Sequence, residues 1–231
     1  MNKPFQKIYF DPYLFFSLFL LSTLGLFFLF SASNSDTSLV LKQMIYVIAG
    51  FIIMILVSQP DPDIFRRTSG LFLIFALLLL GITYLFGPEI NGAQRWVRLG
   101  PFSFQSSELL KLAVPIFLAN FLFDKKLPIQ RKEIIFSLLI IFCCFFFVFR
   151  QPDLGTALII ACSGLFVLFL SGLSWSFIGG SFVLLIISSP FIWNILLQPF
   201  QRQRIATFFN PDSDPFGASW NIIQSKVAIG S

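Results

Sequence analysis

Seven stretches of the chain are apolar with little interruption: residues 13–30, 39–57, 70–86, 107–122, 134–149, 154–172 and 175–195. Polar residues collect between them. A helix needs about 20 mainly apolar residues to cross a bilayer. The pattern therefore predicts seven transmembrane helices in an all-α, polytopic membrane bundle, read as one integral membrane domain over 1–231. Two segments break the pattern. Residues 87–106, "GPEINGAQRWVRLGPFSFQS", combine glycine and proline breaks with an amphipathic "RWVRL", as expected of a stretch lying in the membrane interface with Trp96 at headgroup depth. The tail 197–231 carries "QRQR", a turn-forming "NPDSDP", and "WNIIQSKVAIGS", whose apolar residues fall near helical spacing, as in an amphipathic helix that begins and is cut off.

Composition supports the membrane reading. Hydrophobic residues make up 56% and charged residues 12%, about half the charged share of a soluble domain. The net charge of +5 would suit nucleic acid if it formed one basic face, but the charges sit between apolar blocks, so membrane topology explains them better. With no histidine, imidazole catalysis and histidine-ligated metals are excluded within these residues. Cys143, Cys144 and Cys162 lie inside apolar runs and read as small hydrophobes rather than a disulfide framework.

Orientation follows from the basic residues. Lys3, Lys7, Arg66, Arg67, Lys125, Lys126, Arg131 and Lys132 fall on one set of loops, against Arg95, Arg98 and Arg150 on the other. The richer side is cytoplasmic by the positive-inside rule. The N-terminus is then expected inside, with Ser103, Asp153 and the tail outside.

Charges at membrane depth are costly and usually face a cavity or a partner. Glu108 sits in the first turn of the fourth block, where a carboxylate suits a helix N-terminus, and Ser106 or Ser107 is placed to cap it. Lys111 follows on the same face, within reach of Glu108. Either this is a structural ion pair or it lines a polar pocket opening outward. Arg150 and Asp153 interrupt a second apolar region, with Pro152 expected in a first helical turn. Gly155, Ala157, Ala161 and Gly164 are small enough to let another helix approach. Arg202 and Arg204, with Arg95 and Arg98, would make a basic outer rim suited to a phosphate-bearing lipid headgroup. Residues alone leave a lipid-processing enzyme and a transporter both open.

Three longer blocks add a resemblance: "NGAQRWVRLGPFSFQSSELLKLAVP", "RQPDLGTALIIACSGLFVLFLSGLSW" and "QRQRIATFFNPDSDPFGASWNIIQSKVAIGS". Together they closely resemble the SEDS family, to which RodA, FtsW and SpoVE belong. They stand nearer to the elongation branch of RodA than to the division branch of FtsW. The resemblance implies a ten-span bacterial inner-membrane glycosyltransferase that polymerises lipid II into glycan strands on the outer face and releases undecaprenyl pyrophosphate. It implies a class B penicillin-binding protein and other elongation-complex membrane proteins as partners, and no nucleic acid. No cofactor is implied, although a divalent cation can arrive with the pyrophosphate. Carried onto this chain, Arg95, Trp96, Lys111, Arg202 and Arg204 become candidates for binding lipid II, with Glu108, Gln151, Asp153 and Thr156 as a supporting polar network and Gly155 among the matching positions. Two local departures are Ser106, where the family usually has proline, and Asn210, where it usually has aspartate. The family's essential aspartate lies in a stretch like "LPERHTDF", beyond Ser231. The resemblance therefore implies an N-terminal portion of the enzyme, with no catalytic residue of its own. A lipid II flippase and an inactive scaffold remain the rival expectations.

Overall fold

The computed structural model describes residues 11–33, 36–90, 93–99, 102–215, 217 and 219–230. Lys3, Lys7 and the side chain of Arg98 lie outside that description. The order of elements is α1 (Pro12–Ala32), α2 (Thr37–Ser58), α3 (Pro62–Phe86), β1 (Glu89–Ile90), β2 (Ala93–Gln94), β3 (Trp96–Leu99), β4 (Phe102–Gln105), α4 (Ser107–Phe123), α5 (Arg131–Arg150), α6 (Leu154–Leu170), α7 (Trp175–Phe191), α8 (Pro199–Phe209) and α9 (Trp220–Ile229). Among the described residues, five helices are long and apolar enough to cross a membrane: α1, α2, α3, α5 and the α7 segment through Ile195.

The chain divides into two units, Met1–Phe65 and Arg66–Ser231. In the first, α1 and α2 form an antiparallel hairpin, with Phe15 near the start of α1 meeting Phe51 of α2 edge-on at 5.2 Å. Each helix starts on an aspartate. The Asp11 carboxylate accepts from the backbone N–H groups of Tyr13 and Leu14, and the Asp36 carboxylate accepts from the Ser38 hydroxyl and amide. These satisfy N-terminal donors that have no partner within the helix. The Ser38 hydroxyl, then its amide, holds the Asp36 carboxyl below its ordinary value. Neither helix has a buried residue, as suits apolar helices whose solvent is lipid.

In the second unit the core runs through α3, α4, α5 and α6. Leu110, Ala113, Val114 and Leu118 are fully buried along one stripe of α4, the i, i+3, i+4 spacing of a packed helical face. Ala76, Cys144, Val148, Ala157, Ile160 and Leu168 complete it. Gly164 lets α6 close on its neighbours: a Cβ there would lie 2.6 Å from Ile141 Cγ1 and 3.3 Å from Leu118 Cδ1. Gly155 differs from the expectation. It is exposed, with open space where a Cβ would point. At the end of α6 the left-handed Gly172 (φ +95°) lets Leu173 N–H bond back to Leu168 C=O at 3.1 Å, a glycine-terminated C-cap.

Several expected boundaries move. The third block was expected to begin at residue 70, but α3 begins at Pro62, so Arg66 and Arg67 sit on helical turns instead of in a loop. The polar opening "PDIFRRTS" lowers local hydropathy without breaking the helix. Arg66 stacks its guanidinium 4.2 Å over the Phe123 ring, which brings the start of α3 to the end of α4. Within the segment 87–106 the described residues form two antiparallel hairpin strand pairs, β1–β2 and β3–β4. Its alternating Trp, Val, Leu and Phe favour extended backbone. "NPDSDP" contains a 3₁₀ turn over Pro211–Ser213, and the expected tail helix is present as α9.

Candidate functional site

The hairpin end of the bundle gathers the C-terminus of α3, the N-terminus of α4 and the α5–α6 turn. In β3–β4, Trp96 pairs with Gln105 and Val97 with Phe104. Arg95 immediately precedes Trp96. Its Nε donates to Gln151 C=O at 2.7 Å and its Nη2 to Pro152 C=O at 2.7 Å. Those carbonyls follow the end of α5, where the partial negative charge of the helix favours a guanidinium. Gln151 is 3% exposed and donates to Leu80 C=O at 3.4 Å, tying α3 to the same turn.

Asp153 caps α6. Its Oδ1 accepts from Thr156 N–H at 3.3 Å, and its Oδ2 accepts from Gln105 Nε2 at 2.7 Å. Gln105 also donates to Ser107 Oγ at 3.0 Å, so one amide joins the first residue of α4 to the cap of α6. Pro152 stands one residue before the cap, not inside the first turn as expected, because the turn must reverse before Asp153 can cap.

Glu108 and Lys111 form the expected ion pair, at 2.6 Å. Lys111 is 28% and Glu108 45% exposed, and an ion pair this open contributes at most about 1 kcal/mol. Stability is a weak reason for putting these charges here. Pro115 lies inside α4 and has no N–H to offer the Lys111 carbonyl, which leaves an acceptor beside the pair. The serine cap is corrected in detail. Ser106 has helical backbone angles, φ −63° and ψ −33°, and makes no side-chain cap bond, while its buried hydroxyl has no partner.

Arg95, Gln151, Asp153 and Thr156 thus share one network, with Glu108 and Lys111 on the adjoining turn of α4 and Trp96 at the base of the hairpin. Arg202 is engaged elsewhere. It lies on α8 and donates to Leu197 C=O at 3.0 Å and Asn194 C=O at 2.9 Å, closing the π-helical turn Ile192–Leu196 that follows α7. Arg204 lies two residues further along α8. Gln105 is the residue that sequence reasoning passed over. The signal available was a long amide at the boundary between a loop and a charged helix start.

Beside this cluster an apolar groove of about 560 Å³ runs between α3 and α5, lined by Leu77, Leu80, Tyr84 and Phe147, with Arg150 and Gln151 at its polar end. A guanidinium beside an apolar channel can meet a phosphate headgroup and its chain together.

Comparison with known proteins adds a family. The family model described as "Cell cycle protein", for FtsW, RodA and SpoVE, matches residues 12–231. The chain is 39% identical over 226 residues to peptidoglycan glycosyltransferase MrdB of Escherichia coli (strain K12), covering 98% of this chain and 61% of the relative. It is 33% identical to stage V sporulation protein E of Bacillus subtilis (strain 168), covering 91% of this chain and 60% of the relative. Among solved structures, a chain from work described as "Structural coordination of polymerization and crosslinking by a peptidoglycan synthase complex" superposes with TM-score 0.82 at 31% identity, over 97% of this chain and 66% of that one. The rod shape determining protein RodA of Thermus thermophilus superposes with TM-score 0.68 at 28% identity, over 78% of this chain and 60% of that one. The chain therefore spans less than two thirds of the length of these relatives.

Proposed function

The chain belongs to the FtsW/RodA/SpoVE family of cell cycle proteins, and on that premise we propose that the whole protein is a peptidoglycan glycosyltransferase. It polymerises lipid II into glycan strands for cell-wall elongation and rod shape. It works in the bacterial inner membrane beside a class B penicillin-binding protein, with seven spans in residues 1–231, a cytoplasmic N-terminus and the hairpin end facing out. The relative named as a peptidoglycan glycosyltransferase at 39% identity and the structural likeness to a chain of a peptidoglycan synthase complex support this reading.

The observation that carries it is the Glu108–Lys111 pair on a helix start otherwise packed in apolar residues. Glycosyl transfer forms a bond from an acceptor hydroxyl to the anomeric carbon and breaks that carbon's bond to pyrophosphate. Negative charge grows on the leaving group, and a cation placed there lowers the barrier. Lys111 is assigned that role, with Glu108 fixing its ammonium. Arg95 uses two of its donors on carbonyls; a guanidinium has about five, so it retains others for a phosphate. Arg202 and Arg204 extend the basic surface, and Trp96 packs on sugar or polyprenyl. The groove between α3 and α5 is suited to the lipid chain. No residue among 1–231 is assigned as the base that accepts the hydroxyl proton.

The test uses the full-length protein with its penicillin-binding partner and purified lipid II in detergent. Wild type should make glycan strands, and Lys111→Ala should lose about a hundredfold in rate, the scale of one lost charge-stabilising group. An unchanged rate in Lys111→Ala removes the electrostatic role. Lipid II crossing vesicle membranes without strand synthesis would point to a flippase instead.

A further inference from the structure

We propose that Gln105 is a positioning residue, which sets where the Lys111 ammonium stands by locking the first turn of α4 to the cap of α6. The inference rests on the lipid II reading of the site and adds a residue to it.

Gln105 ends β4 and lies opposite Trp96, next to Arg95. From the two sides of the hairpin base, Arg95 and Gln105 grip three consecutive residues. Arg95 takes the carbonyls of Gln151 and Pro152, and Gln105 takes the carboxylate of Asp153. The amide can point only one way. Its two N–H groups face two acceptors, Asp153 Oδ2 at 2.7 Å and Ser107 Oγ at 3.0 Å. Turning it over would set its carbonyl oxygen against a carboxylate. The other carboxylate oxygen is held by Thr156 N–H. Both oxygens of Asp153 are therefore occupied, and the group acts as an anchor.

What the anchor holds is the start of α4. Ser107 is its first residue, Glu108 is the next, and Lys111 lies one turn on. The half-open ion pair would otherwise be free to shift with its side-chain rotamers. Through Ser107 and Asp153, Gln105 fixes the height and rotation of that turn against α6. Pro115 strengthens the need, since it cannot donate the helical bond that would steady the Lys111 carbonyl.

The experiment exchanges hydrogen-bond polarity with nearly isosteric variants in the full-length polymerase and its partner. Gln105→Glu puts a second carboxylate against Asp153 and shifts Lys111 away from the leaving group, so kcat should fall about tenfold or more with KM little changed, as for an interaction made chiefly in the transition state. Adding Asp153→Asn in the same chain should return most of that loss. The new amide donates to the carboxylate introduced at position 105, Ser107 can donate to that carboxylate as well, and asparagine still caps α6. Thermal unfolding separates placement from folding, because kcat counted per folded enzyme is not moved by a smaller folded fraction. A kcat loss that vanishes once the folded fraction is counted, or a double variant no better than Gln105→Glu, overturns the inference. So does a Gln105→Glu enzyme equal to wild type while wild type polymerises normally. A wild type that makes no strands overturns the functional reading first and this inference with it.

Discussion

Ser106 holds its backbone at φ −63°, inside the narrow range that a proline ring imposes. The residue before it, Gln105, ends an extended strand, which is the conformation a following proline prefers. The buried hydroxyl of Ser106 has no partner, so serine contributes a desolvated polar group and little else. Ser106→Pro should therefore stabilise the protein by about 0.4–1 kcal/mol, chiefly by restricting the unfolded chain. Thermal unfolding in detergent is the measurement, and a drop in stability would mean that the Ser106 N–H has a necessary partner. The proline that the resemblance implies at this position thus has a backbone reason. The same scale shows what the sequence made legible. A carboxylate and an ammonium three positions apart on a helix must be neighbours, so the Glu108–Lys111 pair could be read directly. Gln105 could not, because its partners are Ser107 and, far along the chain, Asp153, and nothing local announces a contact over that separation.

Among the elements, helices were legible and the hairpin end was not. Apolar blocks as long as those of α1, α2 and α5 admit one interpretation in lipid, because every backbone group must be satisfied within the segment. Short strands such as Trp96–Leu99 carry no comparable weight. "RWVRL" alternates like a strand but also mixes charge and apolar surface like an interfacial segment, and only pairing with Phe102–Gln105 decides. Small residues show the same limit. Gly155 and Gly164 look alike in the sequence, yet only Gly164 faces Ile141 and Leu118. Gly164→Ala should cost about 1–3 kcal/mol through overpacking, less whatever alanine returns in helix propensity. Gly155→Ala meets open space and should be neutral or mildly stabilising. Comparing the two melting temperatures checks whether the α4–α5–α6 packing is as tight as described; equal shifts would count against it.

At the scale of the molecule, seven apolar blocks become, among the described residues, five helices long and apolar enough to cross a bilayer, and the two that fall short are the most informative. α4 and α6 have 17 residues each, about 26 Å at 1.5 Å per residue, against a hydrocarbon core of about 30 Å. Both are packed by protein: Leu110, Ala113, Val114, Leu118, Ala157, Ile160 and Leu168 are all inaccessible. A helix wrapped by protein can be shorter than one wrapped by lipid, so helix length alone undercounts the centre of a bundle. Within residues 66–231, the stacking of Arg66 on Phe123 and the bonds of Gln151 to Leu80 and of Asp153 to Gln105 place alternate helix ends together. On the proposed seven-span topology, that alternation puts the hairpin and the Lys125–Lys126 loop on opposite faces of the membrane. With Cys143, Cys144 and Cys162 replaced by serine or alanine, Ser103→Cys should react with a membrane-impermeant maleimide in cells whose outer barrier is permeabilised. Lys126→Cys should react only after the inner membrane is opened. Reversed labelling would turn the polar cluster to the cytoplasm, where strand synthesis on the outer face has no use for it. Labelling of both sites from one side would break the alternation itself and, with it, the crossing of α4.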